Sequence, residues 1–114
     1  MNKGNTMAEY EFKEKDWKLF RAKIGGWQEA YMEKLLEEYK EILSEDIPAS
    51  KRFWKLEKKI REDQKNPGVL IDDMRRSTML VNLYSLIGWQ VISLEDLSDF
   101  SEDLQKKVAW FTGR

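Results

Sequence analysis

The 114-residue sequence predicts an all-α fold, a compact bundle of five or six helices in a single domain. Three observations carry that expectation. Apolar residues recur at the three- and four-residue spacings of a helix face in one segment after another, no segment alternates as a half-buried strand does, and Gly or Pro falls between the periodic segments. Two short runs, "GVLI" and "QVIS", suit extended backbone, but helices account for the rest.

Residues 1–11 form a polar lead in which Met7 is an alternative start, and the domain occupies 12–114. Asp16 suits the N-cap of a first helix with Trp17, Phe20 and Ile24 on one face, and Gly25 and Gly26 are expected to stop it. A second helix follows from about 27 to 44. There Tyr31, Leu35, Tyr39 and Ile42, flanked by Met32, Leu36 and Leu43, make a wide apolar stripe while the glutamates face water. Pro48 suits the start of a third helix over roughly 49–64, with Phe53, Leu56 and Ile60 facing inward. "NPG" at 66–68 ends it, because Pro67 cannot donate a hydrogen bond and disfavours helix at Asn66.

A fourth helix is expected from about 70 to 87, with Asp72 and Asp73 in its first turn complementing the dipole. It becomes apolar almost all round in "MLVNLYSLI", as a central buried helix does. After Gly88, "VISLEDLSDF" reads as a short helix with a Ser93/Asp96 capping box. Ser101 then starts a last helix with Leu104, Val108 and Phe111 inward, ending before Gly113.

The tripeptide Gly-Trp-Gln occurs twice, at 26–28 and 88–90. Its common physics is helix termination: glycine enters the left-handed region cheaply and the next apolar residue folds back on the last turn. On that reading Trp89 lies against Tyr84 and Trp27 meets Ala22, and the repeat is punctuation rather than a duplicated site.

Composition removes whole classes of chemistry. With no Cys and no His, thiolate nucleophiles, Cys/His zinc sites and Ser-His-Asp triads are absent. No glycine-rich phosphate loop occurs, and no cofactor is implied. A net charge of −1 gives no global attraction to nucleic acid or anionic lipid. "MLVNLYSLIGWQVI", interrupted by Asn82, Ser85 and Gln90, falls short of the ~20 apolar residues of a membrane helix. No apolar leader opens the sequence, so a cytoplasmic location and no membrane partner are expected.

Two charged segments remain as candidates. Residues 51–65 carry seven cations (Lys51, Arg52, Lys55, Lys58, Lys59, Arg61, Lys65) against Glu57, Glu62 and Asp63, a surplus of four positive charges. On a helical wheel Trp54 lies off the Phe53/Leu56/Ile60 face, near Lys51, Lys58 and Arg61. An aromatic among cations suits stacking on a base while its neighbours meet phosphate. The plainer alternative is a solvated basic face whose long stems cover Trp54, or one matched to acidic helices of the same fold. Residues 91–103 carry five acids and no base: Glu95, Asp96, Asp99, Glu102 and Asp103. They suit a basic protein surface, or else simply complement the helix starts at Ser93 and Ser101. They also argue against a helix-turn-helix reader, whose recognition helix would present Glu102 and Asp103 to phosphate. Trp17 and Trp110 read as core, while exposure of Trp54 or Trp89 would mark a partner surface.

"FKEKDWKLFRAKI", "GWQEAYMEKLLEEY", "FWKLEKKIREDQKNPGV" and "VISLEDLSDFSEDLQKKV" together resemble a family of small uncharacterised bacterial proteins, some of them labelled "multidrug transporter". Nothing in this sequence spans a bilayer, which contradicts that label. Where the family has an Asp-Gly-like turn before Val-Ile, this chain has Trp89-Gln90. The resemblance implies a small bacterial cytosolic protein, with mobile elements as a source, and supplies no catalytic residue, cofactor or activity. The expectation is therefore a non-enzymatic module that binds a bacterial protein partner. Its surface would be Trp54 with the basic face, the acidic 95–103 segment, or both; one form is an anti-CRISPR-like inhibitor of a nucleic-acid-handling complex. The alternative is direct single-stranded nucleic-acid binding through Lys51, Arg52, Trp54, Lys55, Lys58 and Arg61.

Overall fold

The computed structural model describes residues 10–113, so Met7 and most of the polar lead lie outside the described residues. Among the described residues there are four α-helices and no strand: α1 (Glu14–Leu43), α2 (Ala49–Asp63), α3 (Met79–Gly88) and α4 (Glu102–Thr112). The helical class is as expected. The count of five or six helices and the compact outline are not, since the molecule measures 65 × 27 × 22 Å.

The missing break is at Gly25-Gly26. Both stay helical inside α1, a spine of 30 residues and about 45 Å. Glycine permits the left-handed region without requiring it, and here the apolar register decides. Trp17, Phe20, Ile24, Trp27, Tyr31 and Leu35 follow one another at three- and four-residue steps straight across the pair. A break would throw Trp27 off the core, where it sits 6.2 Å from the Phe20 ring and 6.3 Å from Phe100.

The N-terminal half of α1 packs with α3 and α4 in a head. Its core holds Trp17, Phe20, Met79, Leu83, Leu86, Ile92, Leu97, Phe100, Leu104 and Val108. Asp16 is not the N-cap of α1, a position taken by Lys13. It is 1% exposed, and its carboxylate accepts from the Ser101 N–H at 2.9 Å, the Ser101 hydroxyl at 2.6 Å and the Tyr10 hydroxyl at 2.9 Å. One buried carboxylate thus ties the start of α4 and the N-terminal segment to α1.

The expected helix from 70 is shorter, with a one-turn 3-10 helix at Arg76–Thr78 leading into α3. Polar side chains hold the preceding backbone out of helix: Thr78 Oγ1 and Asn82 Nδ2 both donate to the Asp73 carbonyl, at 2.7 and 3.0 Å. Asp72 and Asp73 therefore lie outside any helical first turn. At the other end, Gly88 is helical and Gln90 takes the left-handed position, φ 62°. The Val91 N–H reaches the Leu86 carbonyl and the Gln90 N–H the Ile87 carbonyl, both at 2.9 Å, which is a Schellman closure two residues later than expected. The Ser93/Asp96 bond forms as expected, the Ser93 N–H donating to Asp96 Oδ2 at 2.8 Å, but it opens only a 3-10 turn, Leu94–Leu97. Ser101 caps α4 through the Leu104 N–H at 3.3 Å.

The C-terminal half of α1 leaves the head and pairs with α2 as an antiparallel hairpin. Arg52 closes the tip by donating to the Leu43 and Ile47 carbonyls, at 2.9 and 3.2 Å. The Asn66-Pro67-Gly68 turn brings the chain back. Asn66 donates to the Tyr31 hydroxyl at 2.8 Å and accepts from the Gly68 N–H at 2.7 Å, while Gln28 donates to the Pro67 carbonyl at 2.9 Å. Gly68 has no room for a side chain, since a Cβ there would run into the Tyr31 ring and come within 2.8 Å of Val91. Among the described residues no helix is long and apolar enough to cross a membrane.

Candidate functional site

No residue of α2 is buried, so Phe53, Leu56 and Ile60 do not join the core as their spacing predicted. The reason is architectural. A helix at the end of a two-helix hairpin has one neighbour, and α1 covers only the Leu56/Lys59/Asp63 side. Phe53 and Trp54 are each 63% exposed, with their rings edge to face at 4.9 Å and 78°. On α1, Leu36 and Leu43 are exposed as well. Between the helices, Met32, Leu36, Tyr39, Ile60, Gln64 and Val69 line a shallow groove of about 260 Å³. The hairpin is a two-helix layer with one apolar face open.

The polar seam that borders the groove, where Asp63 also lines it, is well satisfied. Lys59 bonds Glu38 and Asp63, both at 3.0 Å, and the Tyr39 hydroxyl donates to Asp63 at 2.7 Å. Burial alone would lower the Lys59 ammonium, but its two carboxylate partners outweigh that and hold it above the ordinary lysine range. Burial, reinforced by the bond to Asp63, pushes Tyr39 up to about 12.

Of the three cations expected to surround Trp54, only Arg61 is engaged, although two further cations of the basic segment, Arg52 and Lys55, are also held inside the hairpin. Lys55 pairs with Glu45 at 2.6 Å, Arg61 with Glu57 at 2.6 Å, and Arg52 is held at the α1 carboxyl end. Lys51 and Lys58 have no carboxylate within 4.0 Å among the described residues. The same holds for the indole: no cation of the described residues sits over the Trp54 ring. Four of the seven cations of this segment, Arg52, Lys55, Lys59 and Arg61, are thus engaged within the hairpin, Lys59 alone reaching a carboxylate of α1, while Lys51 and Lys58 project with the aromatic pair.

The acidic segment sits on the head and is used in the fold. Asp103 pairs with Lys13 at 2.8 Å and Asp99 with Lys23 at 3.5 Å, both across to α1, and Asp96 serves the Ser93 turn. Lys13's hydrogen bond and charge hold the Asp103 carboxyl below the usual carboxylate range. Glu95 and Glu102 are exposed beside them. The basic and acidic sets therefore belong to different parts of the molecule and are not brought together.

Trp89 is 52% exposed and does not fold back on Tyr84, whose ring instead stacks on Phe111 at 4.1 Å. Phe111 and Trp110 are exposed rather than core, because they lie in the last turn of α4, and Lys107 stands over the Trp110 ring at 5.6 Å. The spacing of Leu36 and Leu43 did not mark them as surface. Their signal was present in the width of the α1 stripe, broader than one partner helix covers. Among the described residues no three carboxylates converge as a metal site. No protein-family model, curated protein or solved structure matches the chain.

Proposed function

We propose that the chain is a non-enzymatic protein-binding module whose contact surface is the open face of the α1–α2 hairpin, centred on Phe53 and Trp54. The observation that supports this is a helix of 15 residues with none buried, presenting two adjacent aromatics to solvent. Exposed aromatic residues beside a shallow groove with a charged rim are what protein interfaces concentrate. The face differs from a nucleic-acid groove in that most of the cations beside it are already engaged within the same chain.

Direct nucleic-acid binding through Lys51, Arg52, Trp54, Lys55, Lys58 and Arg61 is the second reading, favoured by exposed Trp54 between Lys51 and Lys58. A tagged chain in a bacterial lysate should retain a stoichiometric protein that Phe53→Glu and Trp54→Glu release, while Asp96→Lys with Asp99→Lys leaves it bound. Retention of single-stranded oligonucleotide, weakening steeply with salt and lost in Lys58→Glu, would instead favour the second reading.

A further inference from the structure

The open face carries enough detail to say what covers it. We propose that the occupant is a second copy of the chain, in a two-fold dimer whose axis runs along the hairpin, so that α1 of each copy lies over α2 of the other. This rests on the protein-binding reading and names the partner. A two-helix layer with one apolar side open is half of a four-helix bundle, and two such layers cover each other in a closed, self-complementary interface.

The hairpin's own bonds fix which residues share a level. Glu38 pairs with Lys59, Glu45 with Lys55 and Tyr31 with Asn66. Between those points, the antiparallel hairpin places Leu43 level with Phe53 and Trp54, Lys40 with Glu57, Leu36 with Ile60, and Glu33 with Lys65 in the turn after α2. A two-fold axis along the hairpin preserves level and exchanges the helices. Leu43 of one copy then meets Phe53 of the other, and Leu36 meets Ile60, so the exposed apolar residues cover one another. At the rim, Glu33 faces Lys65 and Lys40 faces Glu57, opposite signs in both cases.

The overall charge agrees with the local pairs. Residues 27–45 hold six carboxylates and two lysines, while 51–65 hold seven cations and three carboxylates, surpluses of four with opposite sign, of which the Glu38–Lys59 and Glu45–Lys55 pairs use two of each within the chain. Exchanging helices sets unlike surfaces together. The other two-fold arrangement, with its axis across the hairpin, stacks α1 on α1 and α2 on α2 and opposes like charges. The face is about 22 Å long and about 20 Å wide, near the lower end of specific interfaces, so association falls in the micromolar range.

Sedimentation equilibrium of the full chain tests this. The expected result is a reversible monomer–dimer equilibrium across micromolar concentrations. Phe53→Glu should be monomeric with its helical circular dichroism intact, because Phe53 is not buried in its own chain. Glu33→Lys and Lys65→Glu should each weaken self-association by about tenfold. Mixing those two variants should restore it, because every rim contact again joins unlike charges. A wild-type chain that stays monomeric throughout overturns the proposal, as does a dimer indifferent to Phe53→Glu or one that mixing fails to restore. If the chain is monomeric but Trp54-dependent capture from lysate persists, the second copy is wrong and the protein-binding reading stands. If that capture is also indifferent to Phe53→Glu and Trp54→Glu, both fall.

Discussion

The two ends of α1 live in different environments. Its first half supplies Trp17 and Phe20 to a core in which Leu83, Leu86, Leu97, Leu104 and Val108 are fully buried. Its second half supplies Leu35 and Ile42 to a seam with α2, which buries nothing of its own. Both halves are amphipathic, and the difference is the number of neighbours. In the head, α1 is met by α3, α4 and the 3-10 turn between them; in the hairpin it is met by one helix. Amphipathicity says that a face wants cover, and the number of partners decides whether the same chain provides it.

The largest expected effect breaks that comparison at its centre. Leu86→Ala should cost about 2–5 kcal/mol in urea denaturation, the range for a buried leucine, whereas Ile60→Ala should cost about 1 kcal/mol or less. Equal losses at the two sites would mean that the hairpin is as much a core as the head. Next is the turn that joins them. Gly68→Ala drives a methyl into the Tyr31 ring and against Val91, and overpacking of this kind costs about 1–3 kcal/mol. Native-state hydrogen exchange should show α2 amides losing protection first in that variant.

Smaller effects sharpen the contrast along α1. Gly25 and Gly26 are helical, and a methyl group on either would meet nothing within 4 Å, so Gly25→Ala and Gly26→Ala should each raise stability by about 0.5–1 kcal/mol. Thermal melts that fall instead would show that the pair needs glycine. The smallest effect is acid sensitivity of the head's tethers. Asp103 and Glu14 are held below the ordinary carboxylate range by their bonds to Lys13 and Arg76. Their contribution is therefore complete above that range and declines as pH falls through the lowered values. Both pairs are exposed, so the decline is shallow, and the urea midpoint of Asp103→Asn should vary less with acid than that of the wild type.

Much of this was legible in the sequence. The all-helical class, the Ser101 cap and the stop before Gly113 follow from local rules, and the structure has them. The "MLVNLYSLI" segment reads as buried almost all round, but α3 buries only Met79, Leu83 and Leu86 and leaves Val81 62% exposed, because its outer side has no neighbouring helix. What local rules miss is competition. Gly25-Gly26 reads as a stop until the register from Trp17 to Leu35 is followed across it. Gly88 reads as the left-handed residue until Val91, rather than Trp89, proves to be the side chain that folds back. Asp16 reads as a local cap because its partner, Ser101, is 85 residues away. The candidate site was half visible. Trp54 falls off the apolar face of its helix and is indeed exposed, but three of the cations that read as ligand-binding in sequence, Arg52, Lys55 and Arg61, turn out to bind carboxylates and carbonyls of their own hairpin. That α2 has a single neighbour is a property of topology, and no window of the sequence holds it.

The paired glycines inside α1 have a mechanical consequence. Backbone without Cβ atoms resists bending least, and this soft point lies just before Trp27, which is still packed on the head. From Gly26 to Leu43 the rod extends about 25 Å, so tilting it by about 10° at that joint sweeps the far end through about 4 Å. Such a tilt pulls directly on the Trp27 ring, so the contacts of Trp27 with Phe20 and Phe100 set how far the arm bearing the aromatic pair can turn.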